Sequence, residues 1–305
     1  MNAKKWLVSF FFFSTVLMIL IELKYQLYPI DRHEVDYLVN KYMPSLTNKE
    51  YETVILGDSL AHNAFEGLLL KDNILDITSN QAISMAGNYF LLKRYLEKNK
   101  VPKKVFLFSI PNLLYNNLTE IYTYNYFETI FTNKDEKEQM VTIKPDLYKN
   151  GFDLNKYFES RKHSIDIGGY TPKQRIRYTN IDEKTLEKLP NFMNEKIQAQ
   201  IDFLEKNKNI MEDIPKIYLD KILELCKNKN ISFTFIIEPI PDEYNTIFKT
   251  SKWYGYLVEK NINYVNINDY YRFNTSFFKS DGIHIHGKVN QYYQNLIDTY
   301  IVDIY

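Results

Sequence analysis

Five short, β-branched apolar runs alternate with helical patterns along this chain, and that alternation constrains the fold more than any other feature. Thr53–Leu56, Ile74–Ile77, Val105–Phe108, Ser232–Ile237 and Tyr264–Ile267 read as strands. Helical spacing is read near Ala61–Leu70, Tyr89–Asn99, Ile214–Lys229 and Asn245–Lys260. It is cleanest in the last stretch, where Val289, Tyr292, Tyr293, Leu296, Ile297, Tyr300 and Ile301 repeat. Strands separated by helices need crossover connections. The expectation is therefore an α/β domain with a central parallel sheet of about five strands, covered by helices on both faces. Ligands of such sheets sit beyond the carboxyl ends of the strands.

The alternation fails between about residues 113 and 213. This stretch is polar and aromatic, with "IYTYNYFETIF", "NGFDLNKYFESRKHSIDIGGYTPKQRIRY" and a helical "NFMNEKIQAQIDFLEKN". It is too long for a simple connection and is expected to form an insertion over the sheet. The layout read from the sequence is residues 1–24 as a membrane anchor, 25–50 as a stalk or first helix, and 51–305 as the α/β domain carrying the insertion.

The anchor rests on "WLVSFFFFSTVLMILI", sixteen residues from Trp6 to Ile21 without a charge, after Lys4 and Lys5. A membrane span needs roughly 17–25 apolar residues, a length the flanking Glu22-Leu23 helps to reach. A cleaved signal peptide has the same basic start and apolar run. Here the chain continues "IELKYQLYPIDRHE" without an Ala-x-Ala-like site, so an uncleaved single-pass anchor is expected. The two lysines would stay cytoplasmic, placing the rest of the chain outside.

Composition narrows the function classes. Lys plus Arg and Asp plus Glu balance at 38 each, which leaves no basic footprint for nucleic acid over the whole chain. A single cysteine, Cys226, excludes an intrachain disulfide framework and reads as a buried structural thiol beside Tyr218, Ile222 and Leu225. The 26 tyrosines carry little weight, because a Tyr, Asn, Lys and Ile bias also follows from an AT-rich genome. No phosphate-cradling glycine run is present, and no metal, nucleotide or flavin cofactor is expected.

The first chemistry-bearing stretch is "YETVILGDSLAHNAF", Tyr51 to Phe65, where a buried strand ends at Gly57 and Asp58-Ser59 opens a helix. A serine there is either a helix cap or a nucleophile. A nucleophilic serine needs a base, usually an imidazole oriented by a carboxylate. The chain has five histidines, and two of them, His284 and His286, stand in "FFKSDGIHIHGKVNQYY" just after Asp281.

Taken together, Gly57-Asp58-Ser59 and Asp281-Gly282-Ile283-His284 resemble the first and last blocks of the SGNH (GDSL-type) hydrolases. "NQAISMAGN", Asn80 to Asn88, is similar to the second block, and "VFLFSIPN", Val105 to Asn112, to the third. The resemblance covers roughly residues 50–112 and 230–303 and implies a three-layer α/β/α, flavodoxin-like fold. It implies Ser59 as nucleophile, His284 as general base and Asp281 as its orienting carboxylate, with His286 the alternative base. It further implies an oxyanion hole from the Ser59 N–H, the Met85 N–H and the Asn112 side chain, with Gly87 the fallback for the second donor. Two departures stand out: Met85 replaces the family's glycine, and Ser109-Ile110-Pro111-Asn112 replaces Gly-x-Asn-Asp.

An anchor, altered middle blocks and "FIIEPIP" look like the membrane-bound envelope members of that family, the DltD-like proteins and the alginate and peptidoglycan acetyltransferases. The implied function is an extracytoplasmic serine acyltransferase or esterase of a bacterial envelope glycan, working beside a multi-spanning membrane acyltransferase. Two rivals are a non-catalytic glycan-binding or scaffold domain and a simple secreted esterase or lipase. Weaker features lie in the insertion. Tyr122, Tyr124 and Tyr126 suit an exposed strand or sugar-stacking surface as well as core packing. Arg161, Lys162, Lys173, Arg175 and Arg177 are read as a solvated basic loop before a glycan-steering patch. Glu238 is expected near the catalytic edge and is given no role.

Overall fold

The structure, a computed structural model, describes residues 3–27, 42, 48–65, 70–119, 123, 126–127, 130–131, 133–147, 190–270, 272–273, 275–278 and 284–285. The chain divides into two compact units, residues 1–40 with 121–175 and residues 41–120 with 176–305.

The larger unit holds a five-stranded parallel sheet. Its strands are β1 (Thr53–Gly57), β2 (Ile74–Asp76), β3 (Lys104–Ser109), β4 (Ser232–Ile237) and β5 (Tyr264–Asn266), in the order β2-β1-β3-β4-β5. This is the strand order of one common class of doubly wound sheets, in which the chain reverses direction between β1 and β3. Consecutive strand residues face opposite sides of a sheet. Val54, Ile55 and Leu56 are all fully buried, as are Val105, Leu107 and Phe108, so both faces of the central strands are covered. That burial explains why these strands read as continuous apolar runs rather than alternating ones.

Helices α2 (Ser59–Phe65), α3 (Ser84–Lys98), α5 (Pro190–Asn207), α6 (Asp213–Asn228), α7 (Asp242–Phe248) and α8 (Lys252–Glu259) belong to this unit. α3 and α6 pack side by side through Tyr89, Phe90 and Tyr218, whose rings lie 5.5 Å apart in both cross-helix pairs. Cys226 is buried on α6, and burial pushes its thiol up to about 12. The single helix expected over Asn245–Lys260 is instead two, α7 and α8. Thr250 Oγ donates back to the Ile247 carbonyl at 2.8 Å, and Ser251 Oγ accepts from the Tyr254 N–H at 3.2 Å. These side chains compete with the helical ladder and restart it. The strand expected to reach Ile267 ends at Asn266, whose side chain caps a short 3-10 turn.

In the smaller unit, α1 (Ala3–Leu27) contains a 20-residue stretch, Lys4–Leu23, with mean hydropathy 2.2, long and apolar enough to cross a membrane. α4 (Lys134–Ile143) lies in the segment read only as polar and aromatic, and Asn133 caps it by accepting from the Asp135 N–H at 3.0 Å. Tyr126 is buried and in a helical conformation, which overturns its place in an exposed strand or stacking surface. Tyr122, Tyr124, the five basic residues between 161 and 177 and the final helical pattern lie outside the described residues.

Candidate active site

The strand ends set the geometry. Gly57 pairs with Phe108, and Phe108 pairs with Ile236, so the residues that follow β1, β3 and β4 leave the sheet side by side. Gly57 is required by a close approach. A Cβ there would lie 2.9 Å from the Ala61 Cβ and 3.0 Å from both the Cβ and the carbonyl oxygen of Phe108. α2 therefore begins hard against β3, and Phe65 locks it there edge-on to Phe108 at 5.2 Å. Leu60, Ala61, Ala64 and Phe65 are buried, which leaves Ser59 half-buried at the start of the helix.

Ser59 Oγ lies 3.0 Å from His284 Nε2, across 225 positions of sequence. His284 is held by the residue after it. Ile285 is buried and pairs with fully buried Phe278 in an antiparallel bridge. Asp281 and His286 lie outside the described residues. The distance is that of a hydrogen bond and suits proton transfer from the hydroxyl to the ring.

Asp58, between Gly57 and Ser59, is almost wholly buried. Its Oδ1 accepts from the Leu60 N–H at 2.9 Å and its Oδ2 from the Ile110 N–H at 3.1 Å, which ties the turn that carries Ser59 to the exit of β3. Burial pushes the Asp58 carboxyl above its ordinary value. A hydrogen bond with Glu238, the two backbone donors and the field of His284 pull the other way. Glu238 directly follows β4, gives its N–H to the Ser109 carbonyl at 3.2 Å, and is fully buried.

The block after β2 is knitted to the block after β3. Ser84 Oγ donates to the Asn116 carbonyl at 2.7 Å, and Asn116 Nδ2 donates to the Gln81 carbonyl at 2.7 Å. Ser84 holds φ 54° and ψ −168°, a region nearly reserved for glycine. The glycine-like backbone thus lies one residue before Met85, which replaces the family's glycine. Met85 itself has no positive φ and lies in the first turn of α3, whose N–H groups have no acceptor within the helix. Gly87 differs. It stands four residues after the cap residue Ile83, where its N–H enters the helical ladder. A Cβ on it would lie 2.3 Å from the Ile83 Cβ, so its smallness serves packing.

Asn112 is half-buried on the 3-10 turn Pro111–Tyr115. Its Oδ1 accepts a hydrogen bond from the hydroxyl of buried Tyr244, on α7, which assigns Nδ2 as the donor end of the amide. Burial pushes the Tyr244 phenol well above its ordinary value, so it stays a donor.

Sequence reasoning gave no role to Asp58, Ser84 or Tyr244, and placed Glu238 near the catalytic edge without assigning it one. A glutamate placed directly after the all-apolar end of β4 and before Pro239 was a legible signal of a buried acid. Tyr244 had no such signal among 26 tyrosines. Among the described residues, no three of His, Cys, Asp and Glu gather to hold a metal ion. No model of a known protein family matches the chain, and no curated protein matches it.

Proposed function

We propose that this chain is a membrane-anchored serine acyltransferase or esterase of the SGNH type, acting on acyl esters of a cell-envelope glycan. The observation that carries the reading is the 3.0 Å approach of Ser59 Oγ to His284 Nε2 beyond the carboxyl ends of a parallel sheet. Support comes also from the order of the four sequence blocks and from the apolar α1 ahead of the domain. In this reading the sheet is that of the flavodoxin-like SGNH fold, and residues from about 113 to 213 are an insertion.

The chemistry follows the residues. Ser59 Oγ bonds to the acyl carbon as its proton passes to His284 Nε2. The negative oxygen that forms is met by the N–H of Ser59, the N–H of Met85 and the Asn112 Nδ2, donors of a kind worth about 2.7–4 kcal/mol each. His284 then returns the proton to the departing alcohol oxygen as the carbon–oxygen bond breaks. A glycan hydroxyl attacks the acyl-serine in the second half, with His284 as base again, and Asp281 orients the ring. A water in place of that hydroxyl gives hydrolysis. The anchor suits a membrane-fed transfer, with a multi-spanning acyltransferase as the partner that delivers the acyl group.

Ser59→Ala tests the reading. It should abolish labelling by a serine-directed fluorophosphonate and remove the acyl groups from envelope polysaccharide, read by mass spectrometry. Labelling of the variant at the wild-type rate would overturn Ser59. Full acylation in a strain carrying only the variant would favour a binding or scaffold protein.

A further inference from the structure

Tyr244 stands on α7, and its phenol reaches across to Asn112 on the turn after β3. The tyrosine is 1% exposed, and among the described residues the acceptor of its hydroxyl is the Asn112 Oδ1. A buried donor left unpaired is costly, so the hydroxyl faces Oδ1 and keeps Nδ2 turned away from itself. Donation to the carbonyl end also draws electron density from the amide nitrogen, which makes its hydrogens better donors.

α7 has seven residues, too few for a helix to hold itself in place. A ladder of three buried asparagines holds it instead. Asn268 bridges the loop after β4: its Nδ2 donates to the Glu238 carbonyl at 2.9 Å, and its Oδ1 accepts from the Ile240 N–H at 2.9 Å. The Asn266 Oδ1 accepts from the N–H and the Nδ2 of Asn268, at 3.1 Å and 2.8 Å. Asn266 Nδ2 then donates to the Asn245 Oδ1 at 3.0 Å, and Asn245 directly follows Tyr244. Backbone groups fix which way the first amide faces, and each amide fixes the next. A second tie is the Asp242 Oδ1, which accepts from the Phe273 N–H at 3.2 Å. We infer that Tyr244 is a positioning residue for the Asn112 amide, and that Asn245, Asn266 and Asn268 are the buried relay that holds Tyr244 to that task. The inference rests on Ser59 as nucleophile and Asn112 as a donor to the oxyanion, but its first test does not.

The full-length chain in detergent micelles, labelled at asparagine with the heavy nitrogen isotope, should give a side-chain amide resonance that Asn112→Ala lacks. That resonance should move in Tyr244→Phe and in Asn245→Ala, which removes the acceptor of Asn266. Fluorophosphonate labelling reads the consequence, since the phosphonyl oxygen takes the place of the oxyanion. Asn112→Ala should slow labelling by about 100-fold. Tyr244→Phe and Asn245→Ala keep the donor but let it turn, and each should slow labelling by about 10-fold with the saturating concentration unchanged. Asn245→Asp retains the acceptor and should recover most of that loss. A packing role would slow labelling whatever replaces Asn112. Added to Asn112→Ala, Tyr244→Phe and Asn245→Ala should each slow it by less than about twofold further. A resonance unmoved in Tyr244→Phe, or the whole loss persisting in the Asn112→Ala background, would overturn the inference. A resonance moved by Tyr244→Phe and not by Asn245→Ala would overturn the relay. A wild-type chain that takes no label would overturn Ser59 and with it the catalytic consequence, and the resonance would still decide whether α7 holds Asn112.

Discussion

At Ser84 a side chain occupies backbone space that glycine would fill at no cost, with φ 54° and ψ −168°. Such a residue stores about 1–3 kcal/mol of strain. Its Oγ bond to the Asn116 carbonyl, 2.7 Å long and buried, returns about 0.5–1.5 kcal/mol. The two terms separate by substitution. Ser84→Ala keeps the strain and loses the bond; Ser84→Gly loses both. Ser84→Gly should therefore be the more stable of the two by about 1 kcal/mol in urea unfolding, net of glycine's own entropy cost. Equal stabilities would mean the backbone there is not strained. The approach of Ser59 to His284 was anticipated from the Gly57-Asp58-Ser59 and Asp281-Gly282-Ile283-His284 blocks, whereas Asp281 lies outside the described residues. The supporting residues were not anticipated, since their roles come from partners on other strands. Tyr244 is the plainest case, because only the fold brings its hydroxyl to Asn112. Tyr244→Phe removes that donor and frees the amide to turn. It should cost about 1–3 kcal/mol of stability by urea titration, and under the proposed function it should also slow fluorophosphonate labelling.

The elements were easier to read than their ends. β1, β3 and β4 appeared as unbroken apolar runs because both of their faces are buried, and β4 has the bounds expected, Ser232–Ile237. α7 and α8 were merged because their apolar spacing carries across Lys249–Ser251, where local hydroxyl bonds and not hydrophobic period decide the break. α4 went unnoticed because its face is largely charged, with Met140 and Glu136 its buried residues. The junction of β1 with α2 shows how an element boundary fixes the site. The helix starts where it does because Gly57 lets Ala61 and Phe108 close over it. Gly57→Ala forces a methyl into contacts of 2.9 Å and 3.0 Å with side chains and backbone that cannot swing away. Overpacking of this kind costs about 1–3 kcal/mol. The variant should unfold at correspondingly lower urea, and its α2 should shift enough to slow Ser59 labelling. Unchanged stability would mean that β3 and α2 are not held at that distance.

For the whole molecule, α1 is the element suited to hold the chain at a membrane. The stretch Lys4–Leu23 has 20 residues, which at 1.5 Å per residue spans about 30 Å, the thickness of a bilayer's hydrocarbon core. Most of its large apolar side chains are exposed, Phe10, Phe11, Phe12, Phe13 and Leu17 among them. Exposed apolar area on this scale is stable in lipid and costly in water. The full chain should therefore stay with membranes through an alkaline carbonate wash and leave them only with detergent. Arginine at the centre of a span costs about 2.5–3.5 kcal/mol where Leu or Phe contributes a few tenths favourably. Phe13→Arg with Leu17→Arg should move the chain to the wash fraction without altering the fluorophosphonate labelling of Ser59, because α1 and the sheet belong to separate compact units. A wild-type chain released by carbonate alone would remove the anchor from the proposed function and leave the serine chemistry standing.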